Sequence, residues 1–180
     1  MSGFRRLKSV FNGLETIRKQ LAGRSYAKAC DMIPYVNLFE NTPDNCVNIH
    51  DFCFQRKVII FGVPGAFTPT CSARHLPGFI SKADDFKKMG VDEICCVSVN
   101  DPFVMSAWGK HFNAQGKVRM LADTRGELTE ALGVCIDLPN LGGMRSMRYS
   151  MVVQNGIIQS MNVESDGVGL TVSDASQLKV

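Results

Sequence analysis

Apolar runs alternate with segments of helical periodicity along the middle of the chain. Residues 57–63 and 91–100 are predicted to be strands buried on both faces, because their apolar positions are nearly continuous. Helical periodicity follows each strand, first in residues 71–81, where Pro77 predicts a kink, and then in residues 102–111. This alternation favours parallel strands joined by crossover helices.

The second half of the chain adds shorter elements. Residues 117–122 have strand-like alternation, and residues 126–132 form a predicted short helix. Asn155-Gly156 separates two further strand patterns, 148–154 and 157–163, and this dipeptide is a strong hairpin signal. A short helix is also expected at the C-terminus. The order of elements predicts an α/β domain in which helices flank a mixed β-sheet, as in a thioredoxin-like fold.

The first thirty residues differ from the rest of the chain in charge and in pattern. Residues 1–30 carry seven basic residues and one acid, a net charge of +6, whereas residues 31–180 carry a net charge of −3. Residues 4–21 have the apolar spacing of a basic amphipathic helix. We therefore predict an N-terminal segment that resembles an organelle transit peptide, followed by one domain at 31–180. Docking of this helix on its own domain or on a partner is the alternative.

Localisation follows from that N-terminal segment. An acid-poor, basic and amphipathic leader is typical of import into organelles. We therefore expect the chain in the mitochondrion or another organelle matrix, with the cytoplasm as the alternative.

Composition excludes several classes of protein. Hydrophobic residues make up 45% and charged residues 21% of the 180 residues, which are ordinary values for a globular domain. No run of about 18 uncharged apolar residues is present, so no membrane-spanning helix is predicted. Because the net positive charge lies wholly in the first thirty residues, it gives the domain no reason to bind nucleic acid.

Cysteine usage favours reduced thiols. The count is odd and no secretory signal is recognised, so we expect free thiols in an intracellular compartment and not a disulfide framework. No C-x-x-C pair is present and the histidines lack ligand spacing, so no bound metal is expected. The seven cysteines are Cys30, Cys46, Cys53, Cys71, Cys95, Cys96 and Cys135.

Cys71 has the clearest chemical context of these thiols. It follows a buried strand and a loop rich in proline and glycine, and it falls in the first turn of the next predicted helix. Free N–H groups and the helix dipole favour negative charge at such a position, so thiols there ionise readily. Thr68 can place a hydroxyl beside the sulfur, either to donate to it or to accept from a bound O–H group. A helix-capping Thr68 and a packed, inert Cys71 fit the local sequence equally well.

A longer pattern around Cys71 resembles a known family. Residues 64–71 read P-x-x-x-T-x-x-C, which is the signature of the peroxiredoxins, and residues 61–79 resemble the peroxiredoxin five, or type II, subfamily. The resemblance covers approximately residues 33–175. Further similar blocks follow in order at residues 97–101, 103–104, 108–109, 121–123, 148–153 and 162–164.

The resemblance implies a thiol peroxidase that works without a metal or other cofactor. The thiolate of Cys71 would attack a peroxide and become a sulfenic acid. Thr68 and Pro64 would share the catalytic site with an arginine that precedes a late strand, which is Arg148 in this chain. That guanidinium would stabilise the thiolate and the departing peroxide oxygen.

The resemblance also implies where the substrate binds. Peroxide is expected to contact Thr70, Cys71 and Arg148, with Arg145 and His75 as further candidates. Hydrogen peroxide and alkyl hydroperoxides are the implied substrates, and peroxynitrite is a third. A solvated arginine at the start of a strand is the alternative interpretation of both arginines.

The sequence departs from the subfamily at the position of a second cysteine. Some members carry a resolving cysteine in a Gly-Leu-Thr-Cys-Ser segment, whereas residues 169–173 read Gly-Leu-Thr-Val-Ser. Val172 cannot form a disulfide, so we expect recycling by an outside thiol, either glutathione with glutaredoxin or a thioredoxin-type protein. Cys96 matches a second cysteine of other members, although packing in its strand is the favoured interpretation. Cys30 and Cys135 leave other routes to resolution open.

Assembly and alternative functions complete the prediction. Members of the subfamily commonly form homodimers, and we expect a homodimer here, while some members are monomeric. The alternative function is a peroxide sensor or redox relay that passes oxidation from Cys71 to a partner protein. A thioredoxin-fold binding or chaperone module without turnover is the third class.

Overall fold

The computed structural model describes residues 25–180. The predicted amphipathic helix at 4–21 lies outside the described residues, and so does most of the 1–30 segment. Within residues 25–180 the chain forms nine β-strands and four α-helices, none of them long and apolar enough to cross a bilayer. The elements in chain order are β1 (Asn37–Glu40), β2 (Cys46–Asn48), α1 (Ile49–Cys53), β3 (Lys57–Gly62), a π-helical turn (Cys71–His75), α2 (Leu76–Lys88), β4 (Glu93–Ser98), α3 (Pro102–His111), β5 (Arg119–Ala122), α4 (Glu127–Ala131), β6 (Cys135–Leu138), a 3₁₀ turn (Pro139–Leu141), β7 (Gly143–Ser146), β8 (Tyr149–Gln154) and β9 (Ile157–Val163).

Seven of the strands form one mixed sheet in the order β2-β1-β5-β4-β3-β8-β9. The three central strands β5, β4 and β3 are parallel, and antiparallel pairs extend the sheet on both sides. Strands β6 and β7 form a separate antiparallel pair. The mixed sheet with flanking helices confirms the predicted thioredoxin-like α/β fold.

Helices cover both faces of the sheet, which explains the continuous apolar runs of β3 and β4. On one face, Phe61 stacks on Phe79 of α2, with ring centroids 4.0 Å apart. On the other face, Ile60 and Leu128 of α4 belong to a second core. A strand with helices on both sides has no solvated face, so every position in it favours an apolar residue.

Helix α2 differs from its prediction in length and in its first turn. It continues past 81 to Lys88 because Ala83 and Phe86 extend the same buried face. The interruption expected at Pro77 takes the form of the preceding π-helical turn, in which the N–H of Leu76 donates to the carbonyl of Cys71. Proline has no N–H, so the regular hydrogen-bond ladder cannot continue through this region.

The hairpin of β8 and β9 confirms the signal of Asn155-Gly156. Both turn residues have positive φ angles, 49° and 77°, as the favoured two-residue hairpin turn requires. The helix predicted at the C-terminus is wrong, because residues 174–177 form a single turn closed by Gln177 N–H and Asp174 O. One turn gives too few hydrogen bonds to continue as a helix.

The sequence pattern missed the shortest elements. Strands β1, β2, β6 and β7 have three or four residues each, and most of their residues are half-buried or exposed. Such strands contain too few buried positions to show an alternating pattern. Helix α1 has five residues and was missed for the same reason.

Candidate active site

The register of two antiparallel strands brings Cys71 and Arg148 together across 77 positions of sequence. Strand β3 ends at Gly62, which pairs with Tyr149, the first residue of β8. Cys71 follows the loop after β3, and Arg148 comes directly before β8. A Cβ at Gly62 would lie 2.0 Å from Cε1 of Tyr149, so glycine lets the aromatic ring cover the strand at this crossing.

A buried hydrogen bond joins two of the predicted catalytic residues, Cys71 and Arg148. Nη1 of Arg148 donates to Sγ of Cys71 at 3.3 Å, and Nε donates to the carbonyl of Val168 at 3.0 Å. Cys71 is 0% and Arg148 2% exposed. Within residues 25–180, no carboxylate forms a salt bridge with this guanidinium. A buried cation without a carboxylate favours an anion at its free face, and the sulfur of Cys71 lies there.

His75 contacts the same guanidinium nitrogen that donates to the sulfur. Its Nε2 lies 3.1 Å from the carbonyl of Ser173, and its Nδ1 lies 3.2 Å from Nη1 of Arg148. A carbonyl can only accept, so the ring proton is on Nε2 and Nδ1 accepts from the arginine. Burial, and then the charge of Arg148, lower the pKa of His75 to about 3. The ring is therefore neutral and orients Arg148, with both nitrogens already occupied by protein groups.

The hydroxyl proton of Thr68 is not available to the sulfur, which leaves only the accepting one of its two predicted roles open. Its Oγ1 donates to the carbonyl of Gly65 at 2.9 Å, which commits the only hydroxyl proton. The oxygen is left to accept a hydrogen bond. The side chain does not cap the helix; instead the backbone carbonyl of Thr68 accepts from the N–H of Ser72 at 3.0 Å.

Ser98 at the end of strand β4 and Asn100 just after it fix the loop between β3 and Cys71. Oδ1 of Asn100 accepts from the N–H of Ala66 at 3.0 Å and from Oγ of Ser98 at 2.8 Å. Pro64 is buried, and Phe67 has a φ of 60°, a conformation that costs about 1–3 kcal/mol for a residue with a side chain. Sequence reasoning gave Asn100 no role, although its position after β4 puts it at the same sheet edge as the loop after β3.

The two remaining predicted substrate contacts, Thr70 and Arg145, are placed differently relative to Cys71. Thr70 precedes Cys71 in the first helical turn and is half-buried. Arg145 does not reach the thiol, because its guanidinium donates to the carbonyl of Val99 at 2.7 Å and to the carbonyl of Leu141. The structure therefore distinguishes the two arginines, with Arg148 on the sulfur and Arg145 between two loops.

The two cysteines of strand β4 are weakly nucleophilic, although Cys96 lies in the same core as Cys71. Cys95 and Cys96 belong to the cores on opposite faces of the sheet. Burial raises the pKa of both thiols well above its usual range, and a neutral thiol is a poor nucleophile. Cys30 is exposed, and Val172 is 46% exposed where some family members carry their resolving cysteine.

No metal centre is formed by the part of the chain that the structure describes. Residues 25–180 contain no group of three or more histidine, cysteine or acidic side chains that could hold a metal ion.

A buried carboxylate that the sequence did not single out lies behind the site. Oε1 of Glu164 accepts from the N–H of Thr171 at 2.7 Å and from the N–H and hydroxyl of Ser173 at 2.9 and 2.7 Å. Oε2 accepts from the hydroxyl of Thr171 at 2.6 Å. Burial alone would raise the pKa of Glu164, but these hydrogen bonds outweigh it and lower the pKa to about 2. The carboxylate is therefore ionised at neutral pH.

Comparisons with known proteins identify relatives of this chain. The family model described as Redoxin matches residues 28–179. Peroxiredoxin-2C of Arabidopsis thaliana is 49% identical over 140 residues, which cover 77% of this chain and 86% of that protein. The structure of reduced Prx3 in complex with H₂O₂ from Vibrio vulnificus has a TM-score of 0.78 at 43% identity, covering 83% of this chain and 94% of that one. Peroxiredoxin 5 from Alvinella pompejana has a TM-score of 0.73 at 44% identity, covering 79% and 92%.

Proposed function

This chain belongs to the Redoxin family and is a cofactor-free thiol peroxidase of the peroxiredoxin type, and on that basis we propose that Cys71 is the residue that attacks the peroxide. One observation carries the assignment: the buried guanidinium of Arg148, which has no carboxylate partner among residues 25–180, donates to the sulfur at 3.3 Å. Rapid oxidation with identification of the modified thiol tests it.

The proposed reaction transfers one oxygen to sulfur. The Cys71 thiolate attacks the terminal peroxide oxygen, so an S–O bond forms as the O–O bond breaks. The departing oxygen takes the electron pair and then a proton, and it leaves as water or alcohol. Sulfur is oxidised by two electrons to the sulfenic acid, and the peroxide is reduced by the same two.

Three neighbours support this step. The Thr68 hydroxyl, with its own proton committed, accepts the hydrogen bond of the peroxide O–H. Arg148 balances the thiolate and donates to the oxygen on which negative charge develops. Pro64 is buried and keeps the loop rigid, which limits the access of water to the sulfur.

Small peroxides are the proposed substrates. The structurally similar Prx3 from Vibrio vulnificus was determined with H₂O₂, which supports hydrogen peroxide as a substrate here. The same attack on a terminal O–O oxygen accommodates alkyl hydroperoxides and peroxynitrite. Competition of each peroxide against hydrogen peroxide for the reduced protein tests this range, and a peroxide that never slows the other reaction is not a substrate.

An outside thiol is the proposed reductant, either glutathione with glutaredoxin or a thioredoxin-type protein. Val172 stands at the family position of the late resolving cysteine, and Cys96 is a buried thiol of raised pKa. A disulfide requires direct contact between two sulfurs, but Cys71 is fully buried. The first turn of its helix must therefore open before the reductant can reach the sulfenic acid, and this turn has the uncommon π-helical hydrogen bonding.

A variant that keeps Cys71 as its only cysteine tests external recycling. We expect it to retain most of the peroxide turnover with glutathione and glutaredoxin, or with a thioredoxin system, because no internal thiol takes part. The exposed or half-buried cysteines are changed to serine and the buried ones to alanine, and the melting temperature reports whether the core survives. Loss of turnover in a folded variant whose Cys71 still oxidises would show that an internal resolving thiol exists.

The cellular setting is also a proposal. The charge and pattern of residues 1–30 support import into the mitochondrion or another organelle, and the family resemblance supports a homodimer. Fractionation of cells that produce the full chain, and sedimentation of the purified protein, test the two statements. Cytosolic protein would contradict the first, and a monomer at micromolar concentration would contradict the second.

A further inference from the structure

The C-terminal segment at residues 170–178 is fastened beside the active site by one carboxylate. Glu164 receives four hydrogen bonds from Thr171 and Ser173, and its own N–H donates to the carbonyl of Arg148 at 3.0 Å. The residue is 2% exposed. Glu164 thus connects the backbone of Arg148, through its own N–H, with residues 171–173, through its carboxylate.

An unbroken series of hydrogen bonds leads from this carboxylate to the thiol. The carboxylate of Glu164 accepts hydrogen bonds from the N–H and the hydroxyl of Ser173. The carbonyl of Ser173 in turn accepts from Nε2 of His75. Nδ1 of His75 accepts from Nη1 of Arg148, which also donates to Sγ of Cys71. Each group in the series is buried.

His75 is the one member of this series whose proton can change position, because the Ser173 carbonyl can only accept and the Arg148 guanidinium can only donate. While the Ser173 carbonyl stays in place, the histidine proton remains on Nε2 and Nδ1 offers a lone pair to the arginine. If the Ser173 carbonyl moves away, the ring proton can shift to Nδ1, and the Nδ1–H of His75 would then point at the Nη1–H of Arg148. Arg148 would then lose the contact that holds its Nη1 against the sulfur.

We propose that Glu164 is a positioning residue for the peroxidase reaction, which fixes the Ser173 carbonyl so that neutral His75 orients Arg148 on Cys71. The rate effect rests on the function proposed above, whereas the state of the histidine does not.

A neighbouring carboxylate offers a matched control. Asp174 lies in the same segment, and its Oδ1 accepts from the N–H and hydroxyl of Ser176 at 2.8 and 2.7 Å. It makes no hydrogen bond to Ser173 or His75. Asp174→Asn removes one negative charge near the site and leaves the series intact.

The kinetic test is a mutant cycle on the first oxidation by hydrogen peroxide. Trp108 is the single tryptophan and its Nε1 donates to Oγ of Ser72 at 3.1 Å, so its fluorescence in rapid mixing reports on the neighbour of Cys71. We expect Glu164→Gln to slow this oxidation about tenfold and Asp174→Asn to change it less than about twofold. Combined with His75→Asn, Glu164→Gln should slow it no further than His75→Asn does alone.

Additive losses in the double variant would overturn the proposal, as would equal losses in the Glu164 and Asp174 variants. Slow oxidation of the unaltered protein would instead count against the proposed function, so the two failures are distinguishable.

The spectroscopic test needs no activity. In protein labelled with ¹⁵N-histidine, we expect His75 to show a protonated Nε2 and a bare Nδ1 at neutral pH, and Glu164→Gln to give a mixture of both tautomers. An Nδ1-protonated His75 in the unaltered protein would overturn the proposal even if the variant fails to fold. An unchanged tautomer in a folded Glu164→Gln variant would overturn it as well.

Discussion

Replacing Cys71 by serine should abolish peroxide turnover while leaving the protein folded. The hydroxyl is close in size to the thiol, so the core around it is preserved, but it stays protonated at neutral pH and cannot act as the nucleophile. Peroxide consumption with glutathione and glutaredoxin, or with a thioredoxin system, should fall to the rate without protein. Cys96→Ala is the matched control in the same core, and it should retain turnover.

This experiment also separates the possible function classes. A peroxidase consumes many equivalents of peroxide per protein, whereas a sensor or relay is oxidised once and then needs its specific partner. A binding or chaperone module consumes none. Full turnover by a folded Cys71→Ser variant would contradict the proposed nucleophile.

Replacing Arg148 by methionine should give the second largest loss. The change keeps an unbranched chain but removes the donor at 3.3 Å from the sulfur. We expect the oxidation of Cys71 by hydrogen peroxide to slow by about 10²–10³-fold, the usual cost of losing one donor to developing charge. Stopped-flow mixing of reduced protein with peroxide measures this rate.

Two companion variants test why arginine is needed. Arg148→Lys keeps a charge but cannot reach Cys71, His75 and the Val168 carbonyl together, so it should recover little of the rate. Arg145→Met removes a guanidinium that binds loop carbonyls away from the sulfur, and its effect should be much smaller. If the Arg145 variant were the slower of the two methionine variants, the assignment of the arginines would be reversed.

Much of the fold was predictable because buried strands and tight turns restrict the residues that local sequence can contain. Strands β3 and β4 are covered on both faces, and their apolar runs show it. The turn at Asn155-Gly156 needs two positive φ angles, which restricts its residues. Strands β1, β2, β6 and β7 are short and partly exposed, so their sequences contain no comparable apolar run.

The candidate site was predictable to a lesser extent, since its contacts are distant in sequence. Thr68 and Cys71 are three residues apart where a loop leads into a helix, so their spacing alone suggests that they lie close together. Arg148 was identified by resemblance, because the pairing of β3 with β8 that delivers it is a tertiary feature. Asn100 acts through a partly buried hydrogen bond and Glu164 through a buried one, and no local pattern reveals their partners.

The most direct test of the central claim is to mix the fully reduced protein with one equivalent of hydrogen peroxide and identify the modified thiol within the first turnover. We predict a sulfenic acid on Cys71, and its removal when glutathione and glutaredoxin or a thioredoxin system is added. Oxidation that appears first on any other cysteine, or a Cys71 that stays reduced while peroxide is consumed, would contradict the account.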